Sequence, residues 1–299
     1  MCIRDRRIYG EINMSKIVMA LCLLLSINGH ANEKAKAAED AYALRDYTEA
    51  GIQNTETAAT IYVELISNEA DPVVKSTYQT KLASAYYFLG SALSKKAEKK
   101  AAHQNAMDVA DQVMTTMGVD SAKAHELTDA EIVSLKNSLD DESELLLVEA
   151  MYSKGISLAQ WGKLNGISSS IGKLPEVLGL MEKIEALGYA DIHEYGPYRT
   201  IGRINFVLPG LFGGDLEKSE DYLKDATMKS LAPGQRYSIN GYNNVYFAET
   251  LYKRGKETQA KAIIKAFRAA DFTTLAVGNE PENREALRVA DGLAADWGI

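Results

Sequence analysis

Cysteine is almost missing from this sequence: its 299 residues include two, Cys2 and Cys22, and both fall within the first 31. The remainder has no thiol, which excludes a disulfide framework or a thiolate metal cluster and suits an oxidising compartment. Strict alternation of apolar and polar residues, the mark of a half-buried strand, never persists beyond a few residues. Only six prolines interrupt a chain rich in Ala, Leu, Lys and Glu. Both scarcities favour helices. Positive charge is also in short supply. Residues 1–31 carry four basic and two acidic side chains, so the rest holds 29 basic and 39 acidic ones and a net charge of −10. That balance excludes nucleic-acid binding through a basic footprint.

Catalytic signatures are missing too. After His30 come His103, His125 and His193, far apart in sequence, and neither His125-Glu126 nor His193-Glu194 continues to a second histidine at the spacing of a helical zinc site. The run GISSSIGKL at 166–174 looks superficially like a phosphate loop. Its glycines, however, are separated by five residues, and Leu174 stands where a hydroxyl would reach Mg²⁺. No nucleophile elbow, paired-carboxylate site or dinucleotide fingerprint occurs. No catalytic residue, cofactor or metal ligand is therefore expected, and the chain reads as a binding protein, not an enzyme.

What is present begins with a targeting signal. Residues 1–13, opening MCIRDR, read as a leader foreign to the protein, with Met14 as the true start. Residues 14–31 have the layout of a cleaved signal peptide: Lys16, the apolar run Ile17–Ile27, then small residues before a cut after Ala31. That run of eleven residues is too short for a hydrocarbon core, which needs about 20. A lipid on Cys22 is the competing arrangement, but Leu21 precedes it where processing wants a small side chain. The periplasm is the expected destination.

Residues 32–299 read as one all-α domain. Apolar residues recur at three- and four-residue spacing in five helical hairpins, 33–67, 75–117, 142–187, 195–230 and 240–270, followed by a capping helix from Glu282 to Trp297. Hairpins of this length stack into a tetratricopeptide-like solenoid whose concave face is lined by the first helix of each pair. Residues 119–141 are polar, with one short amphipathic piece from Asp129 to Leu139, and read as an inserted helix or a lid. Gly90 marks a place where two helices approach closely.

The most distinctive hairpin runs from Tyr195 to Pro233. In its first helix Tyr198, Ile201 and Asn205 share one face while Arg199 and Arg203 share another. Pro209, Gly210, Gly213 and Gly214 stop that helix, and Asp215 is placed to cap the next. The positions one residue off the packing face put Arg199 and Arg203 in the groove on successive turns, a pair suited to a carboxylate, with Tyr195 and Phe206 beside them. The structural alternative has both arginines clamping Asp215 or Glu217 across the hinge. Leu211, Phe212, Gly213 and Gly214 form an expanded loop expected to serve as a groove lip or an oligomer contact. Sixteen tyrosines against six phenylalanines provide many rings with a polar tip.

Three stretches carry a family resemblance: WGKLNGISSSIGKLPEVLGLMEKIEALG at 161–188, EYGPYRTIGRINFVLPGLFGGDLEKSEDYLKDA at 194–226, and AETLYKRG at 248–255. Residues 155–254 resemble the TatT component of TRAP transporters, a family of periplasmic helical-repeat proteins of tripartite ATP-independent systems. Tyr195, Gly196, Arg199, Gly202, Pro209, Gly213, Gly214, Asp215 and Ser219 are its most specific part. The resemblance implies an accessory protein that partners a periplasmic substrate-binding protein, handles a small organic or lipidic solute, and forms a homo-oligomer with a hydrophobic passage.

Overall fold

Helix starts in this chain are set by short polar side chains. Asp71 accepts from the amides of Val73 and Val74 at 2.9 and 3.1 Å, with Pro72 at the first helical position. Thr128 and Glu131 form a reciprocal capping box, and Asp140, Asp215 and Asn240 cap the helices they precede. A computed structural model describes residues 32–166, 170–276 and 278–299. The leader, signal-peptide and Cys22 assignments lie outside the described residues.

The twelve described helices are α1 (32–43), α2 (Glu49–Asn68), α3 (Pro72–Ala92), α4 (Lys96–Thr116), α5 (Asp129–Ser138), α6 (Asp141–Asn165), α7 (Leu174–Leu187), α8 (Ile192–Val207), α9 (Leu216–Lys229), α10 (Gly241–Lys253), α11 (Glu257–Arg268) and α12 (Glu280–Asp296). Among the described residues there is no strand, only an isolated antiparallel bridge between Leu231 and Ser238. The protein is an all-α array of helical hairpins. None of its described helices is long and apolar enough to cross a membrane. The helix α2 packs on α3, α3 on α4, α4 on α6, and each helix from α6 to α11 on its successor, while α3 also meets α6, α8 meets α10 and α10 meets α12. The first helices of the pairs therefore share one inner face.

Buried apolar clusters succeed one another along the array. One joins Met114, Leu147, Met151, Leu180 and Ile184 across α4, α6 and α7, and another joins Leu223, Leu251, Ile264 and Phe267 across α9 to α11. The 119–141 insert contributes Ile132 to the first cluster and packs α5 on α7. Lys136 Nζ donates to the Leu187 carbonyl at 2.9 Å. Buried Lys154 bonds the Ser121 carbonyl and pairs with Asp111 and Glu176 at 2.9 and 3.1 Å. The insert is thus an inserted helix packed on the second helix of its pair.

The array closes on itself. Arg45, in the turn between α1 and α2, donates from Nε and Nη2 to both carboxylate oxygens of Glu282 in α12, at 3.1 and 3.0 Å, and from Nη2 to the Gly278 carbonyl. Its guanidinium lies 4.3 Å from the Tyr42 ring centroid and is 7% exposed. The last helix, expected only as a cap on α10 and α11, also receives the first hairpin.

Gly90 does allow a close approach. A Cβ there would collide with the imidazole of His103 from α4, which is buried and tilted against Tyr87 with ring centroids 5.7 Å apart. Burial, with Lys99 adding to it, pushes His103 down from 6.5 to about 4. Between these values an unfolded chain takes up a proton that the folded chain refuses, so stability present above pH 6.5 is lost as pH falls. Lowering the pH from 7 to 5 should remove about 2 kcal/mol of stability through this residue. Urea unfolding of the parent and His103→Leu at both pH values checks this, and equal pH slopes would contradict it.

Candidate functional site: the inner face around Arg199

The first turn of α8 is unusual. His193, Glu194 and Tyr195 have φ of 49, 53 and 62° with helical ψ, three consecutive side-chain-bearing residues in the left-handed region. Each such residue costs roughly 1–2 kcal/mol, so the surroundings must impose the turn. Arg199 is the principal clamp: its Nη1 donates to the His193 carbonyl at 3.1 Å and to Asn243 Oδ1 at 3.0 Å, with the Glu194 carbonyl at 3.4 Å. Asn243 Nδ2 donates to the Glu194 carbonyl at 2.8 Å. The Glu194 carboxylate accepts from the amides of Asn240 and Asn279 at 3.1 and 2.9 Å, linking α8 to the entrances of α10 and α12. His193 contacts Glu149 at 2.8 Å and stacks on Tyr152 with ring centroids 4.6 Å apart. Gly196 follows because a Cβ there would strike the Tyr152 phenol.

The two arginines expected in the groove do reach the inner face, but neither is idle. Arg199 Nη2 donates to the Tyr152 hydroxyl at 3.1 Å. Arg203 pairs with Glu249 of α10 at 2.7 Å and lies over the rings of Tyr246 and Phe206, 4.2 and 4.7 Å from their centroids. Neither touches Asp215 or Glu217, so the hinge-clamp alternative is replaced. Asp215 instead accepts from the amides of Glu217 and Lys218 at the start of α9.

Near the arginines stand Tyr87 on α3, Tyr152 on α6 and Tyr246 on α10, with Tyr242 on α10 and Tyr47 before α2 next to these tyrosines. The rings of Tyr242 and Tyr246 are 5.2 Å apart, as are those of Tyr47 and Phe88. Burial pushes all five phenols above their ordinary value, and the charge of Arg199 partly offsets this at Tyr87, Tyr152 and Tyr246. They are therefore neutral donors at physiological pH.

No protein-family model matches the chain, and no curated protein matches it either. What the site can do must be argued from its own groups. Among the described residues no cluster of three His, Cys, Asp or Glu side chains is arranged to hold a metal ion. An aromatic cage with guanidinium groups can hold an organic anion without transforming it.

Tyr195, expected beside Arg199, does not join this group. The left-handed turn swings it toward Tyr198 and Lys229 of α9, 5.9 Å from one ring centroid and 5.8 Å from the other's ammonium. Phe206 lies at the edge, between Arg203 and Lys253. The tyrosines of α3, α6 and α10 were not singled out from sequence. The one-turn spacing of Tyr242 and Tyr246 is the signal that could have found them. In the expanded loop, Leu211 is 90% and Phe212 42% exposed, Gly213 has φ 89°, and a Cβ on Gly214 would collide with the Leu208 carbonyl.

Proposed function

We propose that this protein is a periplasmic helical-repeat accessory component of a TRAP-type (tripartite ATP-independent) transport system, binding a small organic or amphipathic solute, the substrate-binding protein of that system, or both. The observation that carries the reading is the convergence of Arg199, Arg203, Tyr87, Tyr152 and Tyr246 on the inner face of a closed helical array. The likeness of residues 155–254 to TatT components supports the transport assignment, and the signal-like residues 14–31 support export. Cross-linked capture of the tagged protein from its own envelope should recover a substrate-binding protein encoded beside transporter membrane subunits. Recovery of assembly factors with no such protein would reject the assignment.

That second outcome would favour a general tetratricopeptide-like envelope scaffold, for which the exposed Leu211 and Phe212 are the supporting observation. Phe212→Asp should leave the fold intact, because the ring is 42% exposed and belongs to none of the buried apolar clusters, and should alter oligomeric state or capture. Light scattering and the same capture experiment read this out. If neither changes, the loop is a spacer.

A further inference from the structure

Three features of the inner face narrow the chemistry of its occupant. The first is a guanidinium with no carboxylate bonded to it. Every hydrogen-bond partner of Arg199 is neutral: a phenol, an amide oxygen and two backbone carbonyls. Its Nε has no partner among the described residues. A half-buried guanidinium in that state attracts an anion from solution. Arg203, one turn on, is already matched by Glu249, and Lys253 is exposed at the rim. Arg199 is therefore the arginine of the pair with no carboxylate bonded to it, and its open Nε edge suits one carboxylate.

The second feature is a set of unused hydroxyls. Those of Tyr47, Tyr242 and Tyr246 make no hydrogen bond to the described residues, although Tyr242 and Tyr246 are half-buried. A half-buried donor in the field of Arg203 and Arg199, as the Tyr246 hydroxyl is, fits the oxygens of a bound anion. The third is the walls. Tyr242 and Tyr246 lie ring to ring, and Arg203 braces Tyr246 from 4.2 Å. Such rings offer flat faces and electropositive edges, which match an aromatic body better than a flexible alkyl chain.

We infer that the inner face binds an aromatic monocarboxylate, its carboxylate on the free edge of Arg199 and its ring among Tyr87, Tyr152 and Tyr246. This rests on the solute-binding reading above but is tested separately from any transporter partner. The probes for titration calorimetry on the full chain are benzoate, benzamide, succinate and decanoate. Benzoate should bind, and benzamide, which lacks the charge, should bind at least about tenfold more weakly. Succinate and decanoate should be weaker than benzoate. Arg199 also clamps the left-handed turn, so its variants risk the fold. Tyr246→Phe deletes a hydroxyl that the protein itself does not use, and should weaken benzoate about fivefold with an unchanged melting temperature. Equal affinity for benzoate and benzamide, tighter binding of succinate or decanoate, full benzoate affinity in Tyr246→Phe, or no binding of benzoate at millimolar concentration would each overturn the inference. Capture of a substrate-binding protein would stand or fall independently of these results.

Discussion

Arg45→Ala will lower the stability of the protein by about 3 kcal/mol and expand it, because it removes one partner of a largely buried ion pair. The arginine is 7% exposed and bonds both oxygens of Glu282, so truncation leaves a carboxylate near Tyr42 and Tyr47 without its cation. The figure sits at the low end for a broken buried pair, since Glu282 is 27% exposed and water can reach it. Glu282→Gln should lose less, as its amide oxygen still accepts from the guanidinium. Urea unfolding gives the stability, and small-angle scattering should show a larger radius of gyration for Arg45→Ala than for the parent. An unchanged radius with a loss below about 1 kcal/mol would mean that packing alone keeps the array shut.

Arg199→Ala should cost a similar amount, about 3 kcal/mol, for a different reason. The guanidinium holds the His193 carbonyl and, through Asn243, the Glu194 carbonyl, and these bonds oppose the intrinsic penalty of three left-handed residues. Without it the turn is free to relax, disturbing the Glu194 bridge to Asn240 and Asn279. The two arginines of α8 therefore differ: Arg203→Ala, whose pair with Glu249 is 30% and 21% exposed, should destabilise less. A strain-specific check is Tyr195→Gly. Glycine accepts positive φ, so in the Arg199→Ala background this change should recover about 1 kcal/mol. If it recovers nothing, the loss comes from the vacated hydrogen-bond partners and not from backbone strain.

The helices were legible in sequence because their signals are local. Five apolar seams, with Asp215 read as a cap, placed the hairpins to within a few residues, apart from the start of α2. The inner-face position of Arg199 and Arg203 followed from the same helical spacing. Three things did not follow. The left-handed turn at His193–Tyr195 breaks local preference, and Arg199 holds it together with partners 44 to 85 residues away. It also carried Tyr195 away from the groove. The partners of Arg203 and Arg199 lie on α10 and α6, at distances in sequence that spacing within one helix cannot reveal. The contact between Arg45 and Glu282 spans 237 residues and has no local signature.

That last contact bears on how the protein opens and closes. An open array of hairpins loses order from its ends, since each terminal unit has one neighbour and can detach without disturbing the middle. Joining the first hairpin to the last helix gives every unit two neighbours. Fraying of either end then requires breaking the Arg45 clasp as well, so amides of α2 and α12 should exchange with protection closer to that of α6 than in an open array. The same joining is slow to achieve, because it closes a loop of 237 residues before the contact returns anything. Folding should therefore end with a late phase that is absent from Arg45→Ala, in which the helical array forms at the parent rate but stays open at the seam.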